Sequence, residues 1–192
     1  FDASWTPNDT ILIGTAFAGI LSVSAQGGTP SVLVKPEPGI LYLKPVSLPD
    51  GKSFLYVRGK PGSFESFEGV MRSFDKEDSA VVVRGTNQLV YAPTGHLLYG
   101  TLPELFTVPF DAASRGVTGN AVRVAQDMDL TNAGGTSQFA LSDTGTLVYL
   151  SGRGGRGMRT RLVAVDRAGK ASPLPLEMRD YSDPKISPDG RQ

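Results

Sequence analysis

Ser47-Leu48-Pro49-Asp50-Gly51-Lys52-Ser53-Phe54-Leu55-Tyr56-Val57 is the stretch on which the fold turns. Proline presets φ for the first turn position, aspartate can bond the backbone two residues on, and glycine accepts φ > 0. A tight turn at Pro49, Asp50 and Gly51 is therefore followed at once by an apolar run, Phe54–Val57, short enough to be a strand buried on both faces. The same punctuation stands at Pro7-Asn8-Asp9, Pro93-Thr94-Gly95, Asp143-Thr144-Gly145 and Pro188-Asp189-Gly190. The closing residues of these turns are 9, 51, 95, 145 and 190, so the unit recurs in steps of 42 to 50 residues.

The segments downstream of each turn recur too. Ile11–Ile13, Leu97–Tyr99 and Leu147–Leu150 match Phe54–Val57. A variable loop and a second strand come next: Ile20–Ser24, Val70–Phe74, Leu105–Phe110 and Leu162–Val165. Three of these end at Asp75, Asp111 and Asp166, each of which opens another turn. A last strand then leads to the crossover: Ser31–Val34, Ala80–Arg84, Ala121–Ala125 and Ser172–Leu176. Each unit thus reads as a four-stranded antiparallel meander. One such sheet cannot bury both its faces, and radial stacking of several solves this while leaving only short edges. A period of 40 to 50 residues with several strands per unit is the signature of a propeller blade. The reading is all-β: a β-propeller of four-stranded antiparallel blades at about 1–44, 45–86, 87–135 and 136–180, with the start of a fifth at 181–192. A segment of a larger ring is expected. A closed four-bladed ring, latched by Ser182–Ser187, and a ring completed by two chains stay open.

The composition bounds the rest. The chain has 192 residues, of which 23 are glycine and 14 proline, scattered between short apolar runs rather than gathered in one linker. Lys+Arg is 19 and Asp+Glu is 19, a balance that argues against a dedicated nucleic-acid binder or a polybasic membrane-surface protein. No apolar run approaches the length of a membrane-spanning helix, so no direct membrane insertion is expected of this segment. There is no cysteine and a single histidine, His96, which excludes disulfides and a His-rich metal site.

Trp5-Thr6-Pro7-Asn8-Asp9, Ser47-Leu48-Pro49-Asp50-Gly51 and Ile186-Ser187-Pro188-Asp189-Gly190 resemble the W-S-P-D-G core of the TolB-type, WD40-like (PD40) propeller repeat. The stretch Leu162-Val163-Ala164-Val165-Asp166-Arg167-Ala168-Gly169-Lys170, running on through Tyr181-Ser182-Asp183-Pro184, is similar to the propeller region that follows the kinase domain and membrane helix of many bacterial receptor-type serine/threonine kinases. The resemblance implies a non-catalytic binding or sensor module of a larger bacterial protein, on the extracytoplasmic side, with a protein or peptide partner. No kinase motif is present: G-x-G-x-x-G-x-V, V-A-I-K, H-R-D and D-F-G are all missing. The alternative is the substrate-gating propeller of a prolyl-oligopeptidase-type serine peptidase, whose hydrolase domain would lie elsewhere.

Successive loops of a meander alternate ends. The Pro-Asp-Gly turns and the Asp-opened turns share one rim, and the variable loops and crossovers share the other. Variable loops on a rigid scaffold are where binding usually sits. The candidates there are Gly59–Glu68, Gly100–Glu104, Ser151–Thr160 and the crossovers Lys35–Lys44, Gln126–Ser137 and Glu177–Asp183. Arg153, Arg156, Arg159 and Arg161, in a glycine-rich loop with no acid between them, can hold an anion or an acidic peptide bidentately; a solvated hairpin loop is the alternative. Phe64 and Phe67 are candidate partner contacts, or close the loop over the blade edge. Tyr42 either lines a pocket or packs between blades. Asp127-Met128-Asp129-Leu130-Thr131-Asn132 alternates oxygen ligands but lacks the glycine and the twelfth-position glutamate of an EF-hand loop. His96 has no G-x-S-x-G nucleophile to serve. No catalytic residue, cofactor or metal is assigned, and self-association through open blade edges is expected.

Overall fold

The computed structural model describes residues 2–101, 103–128, 138–142, 144–151, 161–166, 168–179, 181 and 184–186. Seventeen strands and one short 3-10 turn are the regular elements among them. The first sheet is β1 (Asp2–Trp5), β2 (Thr10–Gly14), β3 (Ile20–Ser24) and β4 (Ser31–Val34), in that order. The second is β5 (Leu41–Ser47), β6 (Ser53–Gly59), β7 (Glu68–Ser73) and β8 (Ser79–Arg84). The third holds β9 (Leu89–Ala92), β10 (His96–Thr101), β11 (Glu104–Asp111), β12 (Gly116–Val117) and β13 (Val122–Ala125). The fourth is β14 (Phe139–Leu141), β15 (Leu147–Ser151), β16 (Arg161–Val165) and β17 (Ala171–Pro173). The pairings with a described register are all antiparallel. The chain forms two compact units, residues 1–91 with 110–118, and residues 92–109 with 119–192.

The turns behave as their residues dictate. Asp9, Gly51, Gly95 and Gly145 all sit at positive φ, 52°, 62°, 77° and 88°. The amide of Gly51 donates to Leu48 O at 3.1 Å, that of Gly95 to Ala92 O at 3.0 Å, and that of Gly145 to Ser142 O at 2.9 Å. One turn geometry thus serves three sheets. Asp50 Oδ1 accepts from the Lys52 amide at 2.8 Å and the Ser53 amide at 3.2 Å, which delivers the chain into β6. Asn8 Nδ2 donates to Gly51 O at 2.7 Å and so ties the first sheet's turn to the second's.

In the first unit, one face of the first sheet meets one face of the second. Leu12, Ile20 and Val34 pack with Tyr42, Phe54, Tyr56 and Val70. Phe54 lies 5.8 Å from Tyr56 and 4.9 Å from Phe74, ring centre to ring centre. Strand β6 is buried on both faces, as its unbroken apolar run requires, and Leu89 reaches Gly69 from the other side.

Two departures from the sequence reading have local causes. The crossover expected over Lys35–Lys44 ends at residue 40, because β5 starts at Leu41. Lys44 takes φ of 50° and the register skips from Leu43 to Val46, so Pro45 sits in a bulge where no ladder amide is needed. Asp2 clasps the bulge through Lys44 Nζ at 2.8 Å. In the third sheet, residues 116–125 give two short strands, β12 and β13, both on β11. Arg115 at φ 56° ends the preceding turn and donates to Asp78 Oδ2 at 2.6 Å and Ser73 Oγ at 2.9 Å.

Candidate functional site

At the start of β5, the end of β6, the start of β7 and the end of β8, one row of residues runs across the second sheet: Tyr42, Arg58, Glu68, Arg84. This end of the sheet carries the crossover before β5 and the long loop between β6 and β7, so it is the variable-loop rim. Residues directly opposite on neighbouring strands touch, and here they alternate in charge. Arg58 Nε and Nη2 donate to Glu68 Oε2 at 3.3 and 3.2 Å, and Arg84 Nη1 donates to Glu68 Oε1. Glu37, on the crossover, adds an oxygen 3.6 Å from Arg58 Nη1. Tyr42 fixes Glu37: its Oη accepts from the Glu37 amide at 3.2 Å and donates to Glu37 Oε1 at 3.4 Å. The result is an ionic ladder, Glu37–Arg58–Glu68–Arg84. Glu68 is its most buried member, with a side chain 19% exposed.

The loop beside the ladder is ordered by its own small residues. Ser66 Oγ accepts from the Lys60 amide at 2.8 Å and donates to Ser63 O at 2.6 Å, closing the 3-10 turn Phe64–Ser66. Phe67 is 4% exposed, and a Cβ on Gly59 would fall 2.6 Å from its ring. Phe67 therefore closes the loop over the sheet edge and is not an exposed partner contact. The buried ring and the missing Cβ of Gly59 are two halves of one fit. The side chain of Phe64 lies outside what the structure describes.

Two cavities flank the ladder in this unit. One, of about 260 Å³, is lined by Glu37, Ile40, Arg58, Gly59, Lys60, Ser66 and Glu68. The second, of about 170 Å³, shares Glu37 and Arg58 and adds Lys35, Tyr42, Tyr56, Arg72, Glu77 and Ser79. Burial pushes the Tyr56 phenol above its ordinary range, against the pull of the Arg58 and Arg72 charges. Burial also raises Tyr42, helped by the Glu37 carboxylate although the Glu37 amide opposes it. Both phenols are neutral at physiological pH and serve as hydrogen-bond groups. Cations, carboxylates and neutral phenols in this arrangement can hold a polar, charged ligand.

The other sequence candidates fall elsewhere. Arg161 stands exposed on β16 with Nη2 3.8 Å from Met178 Sδ. Arg153, Arg156, Arg159, Asp143, Pro188, Asp189 and Gly190 lie outside the described residues, as do Asp129 and Asn132. Pro7, Pro49 and Pro93 occupy their turns. His96 opens β10 with Nδ1 3.1 Å from Thr94 O and 3.2 Å from Thr94 Oγ1. Among the described residues no group of three or more His, Cys, Asp or Glu is placed to hold a metal ion. Sequence reasoning missed the ladder. Its signal was Arg58 and Glu68, opposite charges flanking one loop at matching hairpin positions.

No protein-family model matches the chain. Hemagglutinin A of Porphyromonas gingivalis is 29% identical over 111 residues, 58% of this chain and 5% of that protein, so the chain spans a small fraction of that relative's length. Among solved structures, a calcium-binding protein, regucalcin, from Agrobacterium tumefaciens superposes with a TM-score of 0.69 at 14% identity, over 98% of this chain and 64% of that one. Prolyl oligopeptidase B from Galerina marginata gives 0.61 at 11% identity, over 91% and 27%. The β-propeller domain of the Trilobed protease from Pyrococcus furiosus gives 0.54 at 11% identity, over 95% and 58%. At such identities the likeness speaks to fold alone, and it agrees with the strand orders above: this is an all-β chain of four-stranded antiparallel β-propeller blades.

Proposed function

We propose that this chain is a non-catalytic binding module that takes a protein or peptide partner on its variable-loop rim. The observation that carries the reading is the ladder Glu37–Arg58–Glu68–Arg84 beside a cleft of about 260 Å³. Arg58 and Glu68, half-buried and held by their neighbours, are pre-organised, so a partner of alternating charge binds without first ordering them. Structure-forming turns crowd the opposite rim, which leaves the loops free to specialise. The parent we propose is a larger bacterial protein, either a receptor-type serine/threonine kinase with an extracytoplasmic propeller or a TolB-like scaffold. The repeat turns around Pro49-Asp50-Gly51 and the stretch 162–170 support that assignment.

A second reading has its own support. Two of the similar structures are a prolyl oligopeptidase and a protease propeller domain, so a substrate-gating propeller of a serine peptidase is the alternative parent. The flanking coding sequence separates the two: a kinase domain with a membrane helix on one side, or a G-x-S-x-G hydrolase.

The binding reading is tested by panning a random peptide library over the immobilised chain and measuring the selected peptides against Arg58→Glu and Glu68→Arg, singly and together. Selected peptides should bind the wild type and lose about tenfold or more with either single change. Peptides that bind all variants equally would place recognition elsewhere.

A further inference from the structure

Arg72 lies on β7, on the face of the second sheet that packs against the first, and the residue is 9% exposed. A buried guanidinium is costly unless its five N–H groups find acceptors and its charge a counter-charge. Among the described residues Arg72 has one such bond: Nε donates to Lys76 O at 3.1 Å. Among the described residues no carboxylate lies within ion-pair distance of it, although Arg58, Arg84, Arg115 and Arg123 all have one. Arg72 lines the cavity of about 170 Å³ together with Tyr56 and Ser79, whose side chains hydrogen-bond each other.

The charges of that cavity do not balance. Lys35, Arg58 and Arg72 stand against Glu37 and Glu77, which leaves one positive charge. Glu77 is engaged by Lys35 at 3.6 Å and Glu37 faces Arg58 at 3.6 Å, so the surplus rests with Arg72. A planar fork of donors matches a planar pair of oxygens, and a single surplus charge matches a monoanion. A dianion would meet the two glutamates at close quarters. Arg72, buried and without a carboxylate partner among the described residues, is the element of a ligand site and not of the partner-facing ladder.

We propose that this cavity binds a carboxylate monoanion, seated on the Arg72 guanidinium beside the Tyr56 and Ser79 side chains. This cavity shares Glu37 and Arg58 with the rim cleft, but its anchor, Arg72, is not part of the ladder.

The test is a titration of the full 192-residue chain with sodium acetate, against sodium chloride at equal ionic strength, followed by NMR of the arginine Nε–Hε signals. Acetate should move the Arg72 signal saturably, with a dissociation constant on the order of millimolar. Inorganic phosphate at alkaline pH, where it is a dianion, should bind more weakly. Arg72→Lys keeps the charge but loses the fork, and should weaken acetate binding about tenfold. Should that variant fail to fold, Lys35→Gln serves instead: its side chain is 83% exposed, and removing its charge should also weaken acetate. A shift that chloride reproduces, a shift that never saturates, phosphate binding tighter than acetate, or acetate binding unchanged by whichever variant folds would each overturn the proposal. Selected peptides that still bind the rim while acetate leaves Arg72 unmoved would overturn this site and leave the rim reading standing.

Discussion

Single residues set the backbone path at the repeat turns. Gly51 has φ of 62°, and an added Cβ would meet the Asn8 carboxamide at 3.0 to 3.3 Å. Gly51→Ala should therefore cost about 1–2 kcal/mol, from the left-handed strain and the disturbed Asn8 bond to Gly51 O together; a urea melt reads it, and a variant as stable as wild type would show that the turn does not depend on glycine. Asp111 gives a pH dependence. The Ser114 hydroxyl, then the Ala113 and Ser114 amides, donate to its carboxylate, and these bonds hold its pKa below the ordinary aspartate value. Ionisation is thus easier in the folded state. The resulting stability is fully present above the unfolded aspartate pKa and is lost as pH falls through the lower folded value. Asp111→Ala should flatten that part of the acid limb of stability, and a carboxyl-carbon titration of the wild type should place the Asp111 midpoint below the ordinary aspartate value. These residues were legible in the sequence, because proline, aspartate and glycine act on the backbone within a few positions. Lys44 and Arg115 at positive φ were not, since neither residue type advertises that conformation. Their reasons are a bulge around Pro45 and a contact with Asp78, both set by tertiary structure.

At the scale of strands and sheets, short apolar runs between recurring turns placed β3 and β4 residue for residue, and the inner strands to within a residue or two at each end. Charged strand ends were the blind spot. Arg58, Glu68 and Arg84 looked like the polar margins of strands, and only the registers of β6, β7 and β8 turn them into a ladder. The first sheet presents a second apolar face. The side away from the second sheet carries Trp5, Ile11, Ile13, Leu21, Val23 and Val32 in matching registers, and Trp5 and Val32 are 62% and 56% exposed. An apolar sheet face of this kind favours association. Raising the concentration of the isolated chain should increase its sedimentation coefficient and shift the emission of Trp5, its single tryptophan, to the blue. Val32→Lys should suppress both effects; a concentration-independent monomer would show that this face is inert.

For the molecule as a whole, the repeat carried most of the fold. A sheet repeated at a near-constant spacing requires the same turn at the same place, and that regularity is written in the positions of proline, aspartate and glycine. The particular character of this protein sits where the repeat relaxes: the crossover Lys35–Ile40, the loop Lys60–Phe67 and the charged row beneath them. Loop identity is free of the repeat constraint, so its meaning emerges only once the strands bring distant charges together. The proposed function rests on the contrast between a structural rim and a binding rim. Hydrogen–deuterium exchange of the chain with and without a library-selected peptide tests it directly. Protection should concentrate in residues 35–40 and 60–67, with the turns at 49–51 and 93–95 unchanged; protection centred on those turns would contradict it.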